Sequence, residues 1–510
     1  MRGFSNVIAL QGLRASGIGG RGTPAATRLL NGKMHKGGME GYVPNVLPFP
    51  SIVLGGSTLN VEIDWPFPQI FRTDSGLYVG TRTGLYSLVY GEGDWIATLI
   101  TGVYTHGVSW PWTLANAPLF PVFASGDCLV YYDYDNTSWA VWNKNYSAET
   151  INGTRWSSDW HQPVSACYIN GQVVVAGSIT ASGTPSQSRT VRWTEIGQFD
   201  FLGKTANVTK NEAGEAYGQV DDLEIMMRVL PLGKAIIVYG ALGVFEMIPV
   251  TAPAPTFSFK LIGEVNTGIC NPLAVGGDTH KHLVVGKDGV LYLLTRGADF
   301  RESTTVKKLG YEEYLRPLTD NCDISNKDGI VSVVYNKALD EFYIGDGKQS
   351  YVYSEESGLS EVDLIITSLM DYENANVTGA SYMVDLMQGQ VGFVESLGSQ
   401  GQFYYESDIE DFKINAIKTI EGLSVHGTFD DKSALEVMVK WRNDKRGSFR
   451  ETGWKRISPD GFTSPMVSGA EFKLCIRCKL ATGIELNSMA VNWKISDKRY
   501  IRGMYNVSGA

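Results

Sequence analysis

The stretch Cys475-Ile-Arg-Cys478 has the spacing of a metal or redox pair. A structural zinc site wants four ligands, normally two such pairs, and no second pair exists in this chain. The segment reads as a strand, where positions three apart point to opposite faces, so two half-buried strand thiols are the simpler reading. His280 and His282 stand two apart and would share one face of a strand, the start of a metal site. No third ligand is identifiable nearby, and both also read as polar residues leading into the apolar run at 283–285. Carboxylates gather at Asp133 with Asp135, and at Asp221, Asp222 and Glu224. Glycosidases built on propellers use such groups, but they must converge round a pocket; solvated loop acids are the alternative. The Asp-boxes of sialidase-like propellers (Ser-x-Asp-x-Gly-x-x-Trp) are absent.

GIGGRG (17–22) formally satisfies G-x-G-x-x-G. A dinucleotide site needs a strand before it and a helix after it, whereas Pro24 follows in coil-like text, which reads as a flexible arm. The run KWRNDKRGSFRETGWKR (440–456) places Arg442, Lys445, Arg446, Arg450, Lys455 and Arg456 among Trp441 and Trp454. Charge with aromatic stacking suits nucleic acid. Asp444 and Glu451 interrupt it, so a solvated hairpin or a protein contact is the stronger reading. The sequons at Asn136 and Asn207 carry no meaning without secretion. No Ser/His/Asp or Cys/His arrangement stands out by spacing. The sequence therefore assigns no catalytic, cofactor-binding or metal-ligating residue and no cofactor.

Composition bounds what these side chains are mounted on. In 510 residues, 57 Gly outnumber 19 Pro, and 25 Tyr, 20 Phe and 12 Trp point to strands and turns. Forty-four basic against 54 acidic residues give a net charge of −10, which lacks the basic footprint of a stable nucleic-acid binder. DNA passing through a channel without being held is compatible with that acidity. The apolar run 7–10 is too short for a signal-peptide core, and the longest one, 235–245, is far below a membrane span. Cysteines at 128, 167, 270, 322, 475 and 478 are scattered, which makes a reduced, cytosolic origin the default.

One phrase recurs: LYVGTRTGLYSL (77–88) and LVVGKDGVLYLL (283–294) both write a glycine-ended strand, a polar turn and a return strand. Degraded copies lie round Tyr132, Gly177, Gly240 and Gly345, so successive reference points are 45 to 63 residues apart. Strand pairs with periodic Gly and aromatics at about this period are the signature of propeller blades. The expectation is an all-β chain carrying a β-propeller of five to seven blades, six favoured, over residues 51–375. Residues 1–50, Gly-rich and basic, read as an extended arm that orders only against another part of the molecule or a partner. From 376 to 510, alternating strands such as SALEVMVKWRND and EFKLCIRCKL read as a β-sandwich-like platform domain. A short helix before Pro317 is expected within 304–318.

Several phrases resemble the tail nozzle or hub proteins of short-tailed bacteriophages, the group called tail tubular protein B and head-to-tail stabilisation protein. TRLLNGKMHKGGMEGYVPN (27–45) resembles their opening arm, and VRWTEIGQFDF (191–201) their Arg-Trp-Ser-x-x-Gly stretch. VYGALGVFEM (238–247) is similar to the strand-turn-strand that follows. IGEVNTGICNPLAV with HLVVGKDGVLYLL (262–294) and the closing WKISDKRYIRG (493–503) are similar in placement. The resemblance implies a non-enzymatic virion protein, assembled in the host cytoplasm. A homo-oligomeric ring, six copies in the family, sits below the portal and adaptor proteins. Its channel carries DNA out without stable binding, fibre or spike proteins attach outside, and nothing inserts in a membrane. The platform, built from the arm and the C-terminal strands, joins neighbouring subunits. A glycan-binding or glycan-cleaving propeller and a generic propeller interaction scaffold are the alternatives.

Overall fold

The computed structural model describes residues 3–15, 25–42, 45–48, 52–54, 57–58, 65–91, 94–102, 111–118, 121–126, 129–133, 137–142, 150–151, 154–155, 163–177, 191–194, 196–197, 214–216, 226–250, 257–265, 267–297, 303–322, 329–337, 339–364, 366–374, 377–385, 390–395, 401–429, 434–481 and 483–497. The chain divides into two compact units: residues 46–348 with 365–394, and residues 1–45 with 349–364 and 395–510.

The unit of residues 46–348 and 365–394 is a β-propeller. Its first blade runs Gln69–Thr73, Gly76–Gly80, Gly84–Gly91 and Asp94–Gly102 in antiparallel order, extended by Ile52–Leu54 and Ser57–Thr58. Four further sheets follow, each with its four strands in chain order. The second comprises Thr113–Ala115, Val122–Ala124, Leu129–Asp133 and Ser138–Trp142; the third, Ser165–Ile169, Gln172–Ala176, Val191–Trp193 and Gly214–Ala216. The fourth comprises Met226–Leu232, Ala235–Gly240, Val244–Pro249 and Phe257–Leu261; the fifth, Val275–Gly277, Lys281–Val285, Leu291–Thr295 and Thr305–Gly310. The hairpin Ser332–Asn336 with Glu341–Gly345 takes the sixth place. The seventh sheet is Ile366–Asn374, Val377–Asp385 and Gln390–Glu395, completed by the early strand Asn45–Pro48. First strands lie beside first strands from second to third, third to fourth, fifth to sixth, sixth to seventh and seventh to first. Tyr78 and Phe123 share a core cluster between the first and second blades, and the Tyr239 hydroxyl reaches His282 between the fourth and fifth, which completes the ring.

Seven blades among the described residues is the upper end of the expected range, one more than the recurring phrase counts. The seventh is built from long strands without the glycine-ended phrase, so it carries none of the signal that marked the others. Residues 377–385 and 390–394, expected in the platform, belong to that blade.

The repeated phrase has a packing cause. A Cβ on Gly80 would run into the indole of Trp112, which leads into the second blade, and a Cβ on Gly177 would run into the carbonyl of Met226, which opens the fourth. Glycine ends the second strand where the next blade's lead-in chain crosses it. The apolar runs have a cause as well. In the third blade, Ala166, Val173 and Val175 pack with the second blade, while Cys167, Val174 and Ala176 pack with the fourth. Strands buried on both faces read as continuous apolar text rather than as alternation.

Hydroxyls latch neighbouring blades. Thr113 accepts the backbone N–H of Ala166 at 3.0 Å, Ser165 that of Val229 at 3.0 Å, and Ser368 that of Ile70 at 2.9 Å. An innermost strand has one edge with no sheet partner, and a Ser or Thr on the preceding blade satisfies an N–H that burial would otherwise strand.

The expected helix occupies only the second half of 304–318. Thr305–Gly310 is the outer strand of the fifth blade, and the helix is Glu312–Thr319. Pro317 lies inside the helix rather than after it, with Leu315 and Leu318 turned into the core.

The second unit is two-sheeted. One sheet orders Gly32–His35, Gly38–Gly41, Ile484–Asp497, Ile417–Phe429 and Phe462–Thr463, with Phe4–Ala9 on Ile484–Asp497 and Val467–Gly469 on Ile417–Phe429. The other orders Ser350–Ser354, Gly358–Glu361, Ala26–Leu30, Phe403–Ser407, Glu471–Cys478, Leu435–Arg442 and Arg450–Glu451, with Lys455–Arg456 beside Leu435–Arg442. The Phe412 ring lies between them, 5.8 Å from Phe472 and 5.1 Å from Trp493. Strands from the first 41 residues thus pair with strands between residues 358 and 497. Asn31, at φ 52°, sits between Ala26–Leu30 and Gly32–His35. It is fully buried, donates to Asp363 at 2.8 Å and to the Gln402 carbonyl at 2.9 Å, and accepts the Asp363 N–H at 3.0 Å.

Candidate functional site

Among the described residues, a dense set of charged side chains lies on the two-sheeted unit. In Glu471–Cys478, Phe472, Leu474 and Ile476 are buried in the core, and alternation sends Lys473, Cys475 and Arg477 to the other face. Lys473 and Lys440 each place Nζ 2.7 Å from the Glu406 carboxylate, and the Tyr404 hydroxyl donates to it at 2.8 Å. Burial opposes ionisation of Glu406, but the hydrogen bonds from Lys440 and Lys473 take its carboxyl down to about 2. Arg477 pairs with Glu436 at 2.7 Å and lies over the Trp454 ring at 4.2 Å. Arg442 pairs with the buried Glu471 at 2.6 Å and lies over Phe449 at 4.5 Å. Arg28, from the N-terminal strands, forms a two-pronged pair with Glu361 at 3.0 and 3.1 Å.

This arrangement settles where the basic stretch 440–456 spends its charge. Lys440 and Arg442 are held by carboxylates, Lys455 donates to the carbonyls of Ser464 and Pro465, and Arg456 lies 3.9 Å from Glu436. Arg446 and Arg450 remain exposed. A phosphate backbone needs several cations presented together. Lys440, Arg442 and Arg456 instead meet carboxylates of other strands, which is chemistry of cross-linking.

The remaining candidates disperse. Cys475 and Cys478 fall on opposite faces of their strand, both buried, and burial with the Glu406 charge pushes the Cys475 thiol up to about 12. His280 and His282 do not share a strand face, because Lys281–Val285 begins after His280. His280 is exposed beside Asp278, while His282 is buried between blades. Its Nε2–H donates to the Pro231 carbonyl at 3.1 Å, leaving Nδ1 to accept the Tyr239 hydroxyl at 2.8 Å. Burial holds this imidazole down to about 4. GIGGRG, Asp135, Asp221, Asp222, Glu224 and the sequons at 136 and 207 lie outside the described residues, as does the side chain of Asp133. Among the described residues, no three His, Cys, Asp or Glu side chains are grouped to hold a metal ion. No described helix is long and apolar enough to cross a membrane.

Sequence reasoning missed three features. Cys270 and Cys322 form a disulfide, against the expectation of reduced thiols throughout; 52 residues separate them, so spacing gave no cue. Lys418 is fully buried, donates at 2.7 Å to the carbonyls of Asp411 and Ile414, and is lowered by burial to about 8. Glu410 is raised to about 7 by burial, with Asp411 and Asp408 adding repulsion. Nothing in the local text of either residue marks it as buried.

The ring of sheets defines the chain as a β-propeller protein with an accompanying two-sheeted unit. No protein family matches the chain, and no curated protein matches it. Among solved structures, it is similar to the WD40 β-propeller domain of Doa1 at 10% identity and a TM-score of 0.33, covering 64% of this chain and 92% of that one. The WD40 domain of Neurospora crassa Pan2 gives 10% identity and a TM-score of 0.33, with 64% and 88% covered. The extracellular domain of the one-component system BT4673 from B. thetaiotaomicron gives 10% and 0.37, with 82% and 56% covered.

Proposed function

We propose that this chain is a structural subunit of the tail nozzle or hub of a short-tailed bacteriophage, acting through assembly and not through a reaction of its own. Copies form a ring, six by the family resemblance, below the portal and adaptor proteins. The ring conducts DNA outward, and fibre or spike proteins attach to its outside. The observation that carries this reading is that one two-sheeted unit is made from both chain ends, with nearly the whole propeller inserted as a continuous segment between them. That is the plan which the resemblance implies for an arm and C-terminal strands building a platform. Two further observations support it. The strand Phe4–Ala9 pairs on one side with Ile484–Asp497 and leaves Val7 71% exposed. The net charge of −10 suits a conduit that should release DNA.

Co-expression with portal and adaptor proteins of short-tailed phages, taken from the neighbouring genes where these encode them, tests the reading. Co-purification of all three, with this chain as a ring distal to the adaptor in electron micrographs, is the expected outcome. A strictly monomeric chain that hydrolyses glycans would sink it in favour of a glycan-cleaving propeller.

A further inference from the structure

The Cys270–Cys322 disulfide joins two places at one edge of the fifth blade. Cys270 lies in the segment entering Val275–Gly277, and Cys322 follows the helix Glu312–Thr319. The entering segment also reaches the sixth blade, since the Leu273 carbonyl accepts the Val333 N–H at 2.8 Å. The bridge therefore holds the end of the helix to a segment shared by two blades. Cys270 is buried, at 4% exposure, whereas Cys322 is only partly covered.

Asn271 is placed to serve both sulfurs. Its Oδ1 accepts the Leu273 N–H at 2.9 Å, which fixes the amide plane. Its Nδ2 then lies 3.1 Å from the Cys322 sulfur and 3.5 Å from the Cys270 sulfur. A fixed N–H donor at this range favours a thiolate over a thiol. The other described cysteines, Cys167, Cys475 and Cys478, are buried and unbridged.

We propose that Cys270–Cys322 is a reversible redox clasp, opened and closed in the folded protein by exchange with glutathione-class thiols and disulfides, with Asn271 as its positioning residue. In opening, a glutathione thiolate attacks the Cys322 sulfur and breaks the S–S bond. Cys270 leaves as a thiolate facing Asn271 Nδ2 and takes a proton from solvent. A second glutathione thiolate attacks the glutathione sulfur of the mixed disulfide, forming glutathione disulfide, and Cys322 leaves and is protonated. Two glutathione thiols are oxidised and one protein disulfide is reduced. Closing is the reverse, with glutathione disulfide as the oxidant.

The test uses the full chain with Cys128→Ser, so that a cysteine outside the described residues does not report. The folded protein is equilibrated across ratios of reduced to oxidised glutathione, quenched with acid, then alkylated in denaturant and mapped by peptide mass. Cys270 and Cys322 should convert together as one two-electron couple, with Cys167, Cys475 and Cys478 free at every ratio. The melting temperature should be several degrees higher with the clasp closed, and Cys322→Ser should abolish that redox dependence. Asn271→Asp keeps an acceptor for Leu273 but replaces the donor with a negative charge. It should slow exchange by about tenfold and move its pH–rate profile upward. A bridge that stays closed at every ratio until the protein unfolds, or thiols that stay free in glutathione disulfide, would overturn the clasp. An Asn271→Asp variant exchanging at the wild-type rate with the same pH profile would overturn the role given to Asn271.

Discussion

The hydroxyl of Ser165, on the first strand of the third blade, accepts the backbone N–H of Val229 on the first strand of the fourth at 3.0 Å. Both residues are fully buried, so the bond satisfies a donor that no sheet partner reaches. Ser165→Ala removes the acceptor and leaves the N–H stranded, which should lower stability by about 1–3 kcal/mol. Urea unfolding of the full chain measures it, and a loss below about 0.5 kcal/mol contradicts the latch. Thr113→Val, at the junction with Ala166, should behave alike.

His282 gives the propeller an acid-sensitive seam between the fourth and fifth blades. Its imidazole is held down to about 4 by burial, with the Pro231 carbonyl and Asp278 opposing that shift and Arg228 adding to it. The unfolded chain takes up a proton near pH 6.5, and the folded chain resists it. Stability from this group is therefore complete above about pH 6.5 and is lost progressively as the pH falls towards 4, by up to roughly 3 kcal/mol. His282→Gln should flatten the dependence of the urea midpoint between pH 4.5 and 7.5. An unchanged slope in the variant refutes the assignment.

Glu406 holds Lys440 and Lys473 together on the two-sheeted unit. Glu406→Gln leaves two ammonium groups facing a neutral amide and should destabilise the chain by about 2–4 kcal/mol. Adding Lys473→Met should recover part of that loss, because one uncompensated charge goes with it. Calorimetry of the single and double variants tests this, and strictly additive losses contradict a shared charge site. The wild-type contribution is present above the ordinary glutamate range near pH 4.5 and disappears as the pH falls through about 2.

Because Lys440 and Arg442 are held by carboxylates, the stretch 440–456 should not retain DNA. Fluorescence anisotropy with a short duplex at physiological salt should show no binding tighter than about 100 µM. Micromolar affinity with a steep salt dependence contradicts that prediction.

The propeller was legible because its glycines answer to packing: Gly80 faces Trp112, and Gly177 faces the Met226 carbonyl. At Gly286, in the other full copy of the phrase, a Cβ would instead meet Asp288 and Thr267. The seventh blade, Ile366–Asn374 with its neighbours, carries no such phrase and draws its fourth strand from Asn45–Pro48, so local reading missed it. Long-range pairings were equally hidden. Nothing in the text near Asn31 says that it will bond to Asp363 and Gln402, and nothing near Cys270 points to Cys322. For the basic stretch, the partners were what stayed hidden. Its cations are adjacent in sequence, while the carboxylates that hold Lys440 and Arg442 come from positions 406 and 471.

Mass photometry of the purified full chain, followed by electron microscopy with the adaptor, tests the central proposal most directly. The reading as a tail nozzle subunit predicts a closed ring with a central channel, six copies by family resemblance, forming alone or on the adaptor. A chain that remains monomeric at micromolar concentration, with and without the adaptor, contradicts it.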